Sequence, residues 1–96
     1  MTKADIVARL SDKTGLEKGD VQAIIDGFMR EVRVSLESGD NVYLRGFGSF
    51  VIKTRKAKKG RNISKNVTID IPAHNIPSFK PAKEFLEQVK TNVAVK

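Results

Sequence analysis

The residues that most restrict the fold of this chain lie at positions 53–66, in the sequence KTRKAKKGRNISKN. The segment holds seven of the chain's eighteen Lys and Arg residues, no acidic residue, and one large apolar residue, Ile63. A strand built from it offers no apolar side to bury, and an isolated two-stranded hairpin is at best marginally stable in water. The segment therefore predicts an arm that protrudes from the folded body.

A protruding arm leaves few residues for a core. The chain has 96 residues, which fits one domain spanning 1–96. A chain of this size buries about two-thirds of its unfolded surface at best. We therefore expect a second copy of the chain, or a paralogue, to complete the core as a homodimer or heterodimer.

The net charge of +7 is concentrated in the middle of the sequence. Residues 1–40 carry a net charge of −2, residues 41–69 carry +8 without a single acid, and residues 70–96 carry +1. This asymmetry indicates a polyanionic partner that binds one segment of the protein.

The chain lacks the residues that several classes of function require. The absence of cysteine excludes disulfides, a thiolate nucleophile and a Cys-ligated zinc site. Neither a signal peptide nor an apolar run of about 20 residues is found, so we expect an intracellular protein without membrane contact. His74 is the only histidine and is expected to be exposed or capping. We predict no enzyme, no cofactor, no metal and no small-molecule substrate.

The apolar spacing predicts two helices first and strands afterwards. Thr2 and Asp5 form an imperfect capping box, and Gly15 ends the first helix. A second helix over residues 18–38 carries an apolar stripe and ends before Gly39. The stripe consists of Val21, Ile24, Ile25, Phe28, Val32 and Leu36.

The period then changes to two. Residues 42–44 and the GFGSF stretch at 46–50 predict two short strands, and residues 53–73 predict one long hairpin. Pro81 fits the first turn of a last helix. The expected fold is α+β: two N-terminal helices (1–40), an antiparallel sheet with a protruding arm at about 53–73 (41–80), and a C-terminal helix and tail (81–96).

The arm has the residues of a minor-groove reader. Closely spaced cations neutralise phosphates, and Arg61 and Asn62 are the types that read groove width and its acceptors. Two interpretations of Ile63 fit the sequence. Either its side chain folds back on Val67 or Ile69, or it is an apolar wedge that unstacks base pairs, as in proteins that bend DNA from the minor groove.

The sequence resembles the bacterial HU/IHF DNA-bending proteins along its whole length. GFGSF at 46–50, GRN at 60–62, IPA at 71–73 and PSFKPAKEF at 77–85 follow the family's order and spacing. The resemblance implies an intertwined dimer in the cytoplasm, at the bacterial nucleoid, which condenses and bends DNA with two β arms. The family usually has proline where this chain has Ile63, and isoleucine is also a known wedge.

The resemblance also implies roles for individual residues. The lysines and arginines at 53–59 correspond to the family's basic arm, and Lys3, Lys80 and Lys83 to body cations that hold the DNA flanks. Arg45 corresponds to an arginine that the site-selective branch presents to the minor groove. The full predicted DNA-binding set is Lys3, Arg45, Gly46, Ser49, Lys53, Arg55, Lys56, Lys58, Lys59, Arg61, Asn62, Ile63, Lys65, Lys80 and Lys83. The predicted dimer core is Phe28, Val32, Phe47, Phe50 and Phe79.

Two other functions fit parts of the pattern. Binding of RNA or single strands uses aromatic stacking platforms, but none of the six aromatic residues lies in the basic segment. Binding of an acidic protein or membrane surface would use the charge without requiring Asn62 or Ile63. Whether binding is general or site-selective, and how sharply DNA is bent, are not determined by the sequence.

Overall fold

The computed structural model describes residues 1–62 and 67–95 of the chain. Its elements confirm the α+β prediction of two N-terminal helices, antiparallel strands with a hairpin and a C-terminal helix. In chain order they are α1 (Lys3–Thr14), α2 (Lys18–Glu37), β1 (Val42–Leu44), β2 (Gly48–Arg55), β3 (Lys58–Asn62), β4 (Val67–Ile71), β5 (His74–Pro81) and α3 (Lys83–Asn92). The chain divides into two compact units, Met1–Ser35 and Leu36–Lys96.

Both ends of α1 follow from its sequence. Thr2 accepts a hydrogen bond from the Asp5 amide at 3.3 Å, and the Asp5 carboxylate accepts one from the Thr2 amide at 2.9 Å. This reciprocal capping box satisfies two amides that the first turn leaves unpaired. Gly15 adopts a left-handed conformation with φ 76° and donates to the Ser11 carbonyl. The predicted bounds of α1 are therefore confirmed.

Among residues 1–60 and 68–95, whose burial is described, the only buried apolar side chains lie in the first unit. These are Val7 of α1 and Val21 and Val32 of α2. An ion pair between Lys3 and Asp26, 2.9 Å apart, also joins the two helices. Ile24 of the same α2 stripe is 64% exposed, so the stripe is only partly covered within this chain.

The second unit is built on an antiparallel sheet in the order β1-β2-β5. β2 pairs with β5 along its whole length, from Gly48 opposite Pro81 to Arg55 opposite His74. The sheet tolerates the prolines of β5 because β5 is an edge strand. The Asn41 side chain lengthens the other edge, where its Oδ1 accepts from the Ile52 amide at 3.0 Å.

The predicted long hairpin keeps one pairing register along its length, but its backbone hydrogen bonds form two separate ladders. β3 pairs with β4 in a separate two-stranded sheet that starts with Lys58 opposite Ile71. Two positions on each strand, Lys56–Ala57 and Pro72–Ala73, separate this pair from Arg55 and His74, so the register of β2 and β5 continues unchanged. The ladder is interrupted where Pro72 lacks an amide hydrogen to donate.

The last helix begins later than the sequence suggested. Pro81 is the final residue of β5 and pairs with Gly48, while Ala82 is the N-cap of α3 and makes no side-chain capping bond. The prediction that Pro81 opens this helix was wrong by two residues. The reason is that pairing with β2 holds Pro81 in extended backbone.

Candidate nucleic-acid interface

The paired strands β2 and β5 have two chemically different faces. Side chains along a strand alternate between faces, and directly paired residues share a face. One face therefore carries four pairs: Ser49 with Lys80, Val51 with Ser78, Lys53 with Ile76, and Arg55 with His74. We call these eight residues the basic face.

The basic face has positive charge and no acid. Lys53, Arg55 and Lys80 are exposed, and Ser49 is half-buried. None of the eight positions holds Asp or Glu. The structure thus brings four predicted DNA-binding residues, Ser49, Lys53, Arg55 and Lys80, onto one surface that can attract phosphates.

The opposite face of the same strands is apolar over three of its four pairs, and only Thr54 with Asn75, at the end next to the arm, is polar. Phe50 and Phe79 pair across it with ring centroids 5.0 Å apart. Phe47 extends this cluster, because its ring lies 5.1 Å from Phe79 and stacks on Phe85 of α3 at 5.4 Å. The aromatic side chains of the second unit, other than Tyr43, are therefore gathered away from the basic face.

Gly48 allows the two strands to approach closely. A Cβ added to this residue would lie 2.6 Å from the Lys80 carbonyl oxygen and 2.7 Å from the Phe79 ring. Real Cβ atoms do not come this close to backbone atoms. The absence of a side chain at Gly48 therefore lets the Lys80 backbone and the Phe79 ring pack closely against β2.

The turn between β1 and β2 lines a cleft of about 620 Å³. Arg45, Gly46, Ser49 and Lys80 line it together with Tyr43, Leu44, Gly48, Val51, Pro81 and Ala82. Gly46 has a φ of 81°, the left-handed region that glycine enters without cost. The structure therefore brings predicted DNA contacts from β2, β5 and this turn to a single depression.

The described part of the arm continues beyond the sheet. Lys56, Lys58 and Lys59 are exposed. Arg61 and Asn62 lie in β3, where they pair with Thr68 and Val67 of β4. Ile63 and Lys65 lie outside the described residues.

Gly60 has a role within the arm that the sequence did not indicate. A Cβ at this position would lie 3.0 Å from Cδ1 of Ile71, so the isoleucine side chain extends over the glycine. The hairpin therefore has some apolar packing of its own, which the β3 sequence read alone does not reveal.

Two of the predicted DNA-binding lysines, Lys83 and Lys3, are not part of the basic face. Lys83 is the exposed first residue of α3. Lys3 belongs to the first unit and is held by Asp26. An exposed ion pair contributes only about 0–1 kcal/mol, so Lys3 can exchange this carboxylate for a phosphate at little cost.

Sequence reasoning missed three residues near this surface. Tyr43 is 72% exposed and lines the turn cleft, and His74 lies on the basic face. Glu84 places a carboxylate oxygen 3.7 Å from where a Gly46 Cβ would be, so it brings negative charge to the turn. Only strand alternation from a known register could have placed His74, and no local signal marks Glu84.

The described residues contain neither a membrane-spanning helix nor a group of side chains that could bind a metal ion. No helix among them is long and apolar enough to cross a lipid bilayer. Across residues 1–62 and 67–95, no three His, Cys, Asp or Glu side chains are grouped so that they could hold a metal ion.

Comparisons with known proteins agree with this geometry. The family model described as "Bacterial DNA-binding protein" matches residues 1–90. The chain is 41% identical to DNA-binding protein HU of Thermus thermophilus, over 94% of this chain and 93% of that protein. It is 38% identical to integration host factor subunit alpha of Idiomarina loihiensis, over 94% and 92%. An Anabaena HU–DNA cocrystal structure matches with a TM-score of 0.88 and 36% identity, covering 93% of this chain and 97% of that one.

Proposed function

Because this chain belongs to the family of bacterial DNA-binding proteins that includes HU and integration host factor, we propose that it bends duplex DNA as a dimer, with its arms in the minor groove. Proteins of this family are architectural and nucleoid-associated, without enzymatic activity. They bind double-stranded DNA and act as homo- or heterodimers. The predictions of family, of DNA as partner and of a non-enzymatic role are therefore confirmed. The intercalation of Ile63, the dimer geometry and a location in the cytoplasmic nucleoid belong to the proposal.

The observation that carries this proposal is the division of β2 and β5 into two faces. Three cations point to one side of the sheet and the aromatic rings to the other. A surface of this kind can bind a polyanion with its basic face while its apolar face packs against protein. The arm continues from the same two strands and adds further exposed lysines.

Exposed apolar residues support a second subunit. In the first unit Phe28 is 45% exposed, and in the second Phe47 is 46% exposed. Phe79, Leu86 and Val89 are also exposed and line an apolar cleft of about 370 Å³ beside α3. No side chain whose burial is described is less than 2% exposed, so this part of a single chain has no fully buried core.

The predicted dimer-core residues differ in how much of their surface is exposed within a single chain. Val32 is buried, and Phe50 is half-buried beside Phe79. Phe28, Phe47 and Phe79 keep the surface that a partner chain would cover. Burying apolar area stabilises by about 25 cal/mol per Å², which makes these three rings the main candidates for dimer contacts.

Intercalation is proposed from the sequence position of Ile63. Residues 63–66 connect β3 to β4, beyond the last described pair, Asn62 with Val67. An apolar side chain at the end of a cationic hairpin matches the wedges that unstack base pairs and bend DNA. Bending a site of 20–30 base pairs smoothly costs about 1–6 kcal/mol, which phosphate contacts along the arm and basic face would offset.

Energy transfer between fluorophores at the two ends of a duplex tests this proposal. The native protein should shorten the end-to-end distance, and Ile63→Ala should bind at low salt with little loss but shorten it much less. Ile69→Ala is the matched control, because it removes the same side chain within β4. Equal shortening by Ile63→Ala and the native protein would refute intercalation, while binding without any shortening would refute bending.

A further inference from the structure

The chain's only histidine lies on the basic face. His74 is the first residue of β5, is exposed, and pairs directly with Arg55 of β2. Lys53 is two residues before Arg55 and shares its face. The imidazole is therefore placed on the surface proposed to meet DNA, at the base of the arm.

The hydrogen bond of His74 determines what its free nitrogen can do. Nδ1 lies 2.9 Å from the Pro72 carbonyl oxygen. A carbonyl can only accept, so Nδ1 carries the hydrogen and donates it. In the neutral ring Nε2 then has a lone pair and cannot donate to a phosphate. In the protonated ring Nε2 becomes a donor.

The surroundings of His74 suit a phosphate. A cleft of about 670 Å³ is lined by Thr54, Arg55, Lys56, Ala57, Lys58, His74 and Ile76. Three of these residues are cations and none is acidic. Asp70, the acid of β4, pairs with Lys59 and is not part of this lining.

We propose that His74 is a phosphate-binding residue at the base of the arm, and that its contact with DNA is coupled to the uptake of a proton by its ring. The proton comes from solvent and binds Nε2, which then donates a charged hydrogen bond to a backbone phosphate. A bound anion next to the ring favours its charged form, and histidine is the side chain that changes charge between pH 5 and 8. DNA affinity therefore rises as the pH falls. This inference rests on the proposed function.

Binding to a labelled duplex at pH 6 and pH 8, at constant ionic strength, tests the proposal. The native protein should bind about three- to tenfold more tightly at pH 6, since each exposed charged contact adds little and a dimer has two. His74→Gln should lose this difference. His74→Lys, which is charged at both pH values, should bind tightly at both.

Calorimetric titration in two buffers of different ionisation enthalpy gives a second readout. The native protein should take up protons on binding, and His74→Gln should take up fewer, by about a quarter to half a proton per dimer averaged between pH 6 and pH 8. If His74→Gln shows the native pH dependence and proton uptake, this inference fails while DNA binding stands. If neither protein binds the duplex at either pH, the proposed function itself fails.

Discussion

Gly48 faces the backbone carbonyl of Lys80 so closely that a Cβ on the glycine would lie 2.6 Å from that oxygen. The same Cβ would lie 2.7 Å from the Phe79 ring. This contact couples the basic face to the aromatic face, because Lys80 and Phe79 are neighbours in β5 that point to opposite sides. Any side chain at position 48 must push both apart.

We expect Gly48→Ala to lower the free energy of unfolding by about 1–3 kcal/mol, the usual cost of overpacking. Thermal unfolding followed by circular dichroism measures this loss. Gly19→Ala is the control, because a Cβ there meets no atom within 4 Å and lies in a helix. The control should be neutral or more stable by up to about 1 kcal/mol. Equal stability of the two variants would contradict the close approach.

The basic face predicts a specific loss of DNA affinity. We expect Arg55→Ala to weaken duplex binding and to reduce the salt slope, log K against log salt, by about two, because each of the two subunits loses one phosphate contact. For a protein with 6–10 such contacts, affinity falls by about 10³–10⁵ between 50 and 200 mM salt. Anisotropy titrations at several salt concentrations measure both quantities.

Arg9→Ala is the matched control for this measurement. It removes the same charge from α1, in the unit that carries no part of the basic face. A similar drop in salt slope for both variants would show that total charge, rather than the basic face, sets the affinity.

The exposure of Phe28 predicts that assembly depends on this ring. We expect Phe28→Ala to raise the dimer dissociation constant about tenfold or more, since aromatic anchors dominate interface energies. The melting temperature of the native protein should rise with protein concentration. Gln22→Ala, also exposed on α2, should leave both quantities unchanged. A monomer mass for the native protein at all concentrations, with full helicity, would refute the dimer.

The placement of the aromatic rings predicts a preference for duplex DNA. Phe47, Phe50, Phe79 and Phe85 pack on one another, with centroids 5.0–6.3 Å apart, and only Tyr43 is exposed in the turn cleft. Stacking platforms for unpaired bases are therefore scarce. In competition, a duplex should displace a bound single strand of equal length. Stronger binding of the single strand or of RNA would favour the alternative function.

Local signals predicted the helices well. Thr2, Gly15 and Gly39 act within one turn of the helix ends that they set, and the structure has the expected caps there. The start of α3 was misjudged because Pro81 has a local preference for a helix start, yet it pairs with Gly48, more than thirty residues earlier. Pairing between distant residues overrides such preferences.

The candidate site was predicted in composition but not in arrangement. The cations of residues 41–69 could be counted, but which of them share a face depends on the register between β2 and β5. That register also places His74 opposite Arg55 and Lys80 opposite Ser49. Glu84 comes close to Gly46 through the packing of α3, which no pattern in the sequence encodes.

The pairing register of β2 with β5 continues unchanged into the pair of β3 with β4. This continuity limits how the arm can change in length. Deleting one residue from each strand near Ala57 and Pro72 would keep the strands matched but exchange the sides on which Lys58 and Lys59 project. Deleting two from each would shorten the arm and keep those sides. Shorter or longer versions of this protein should therefore differ by even numbers of residues per strand.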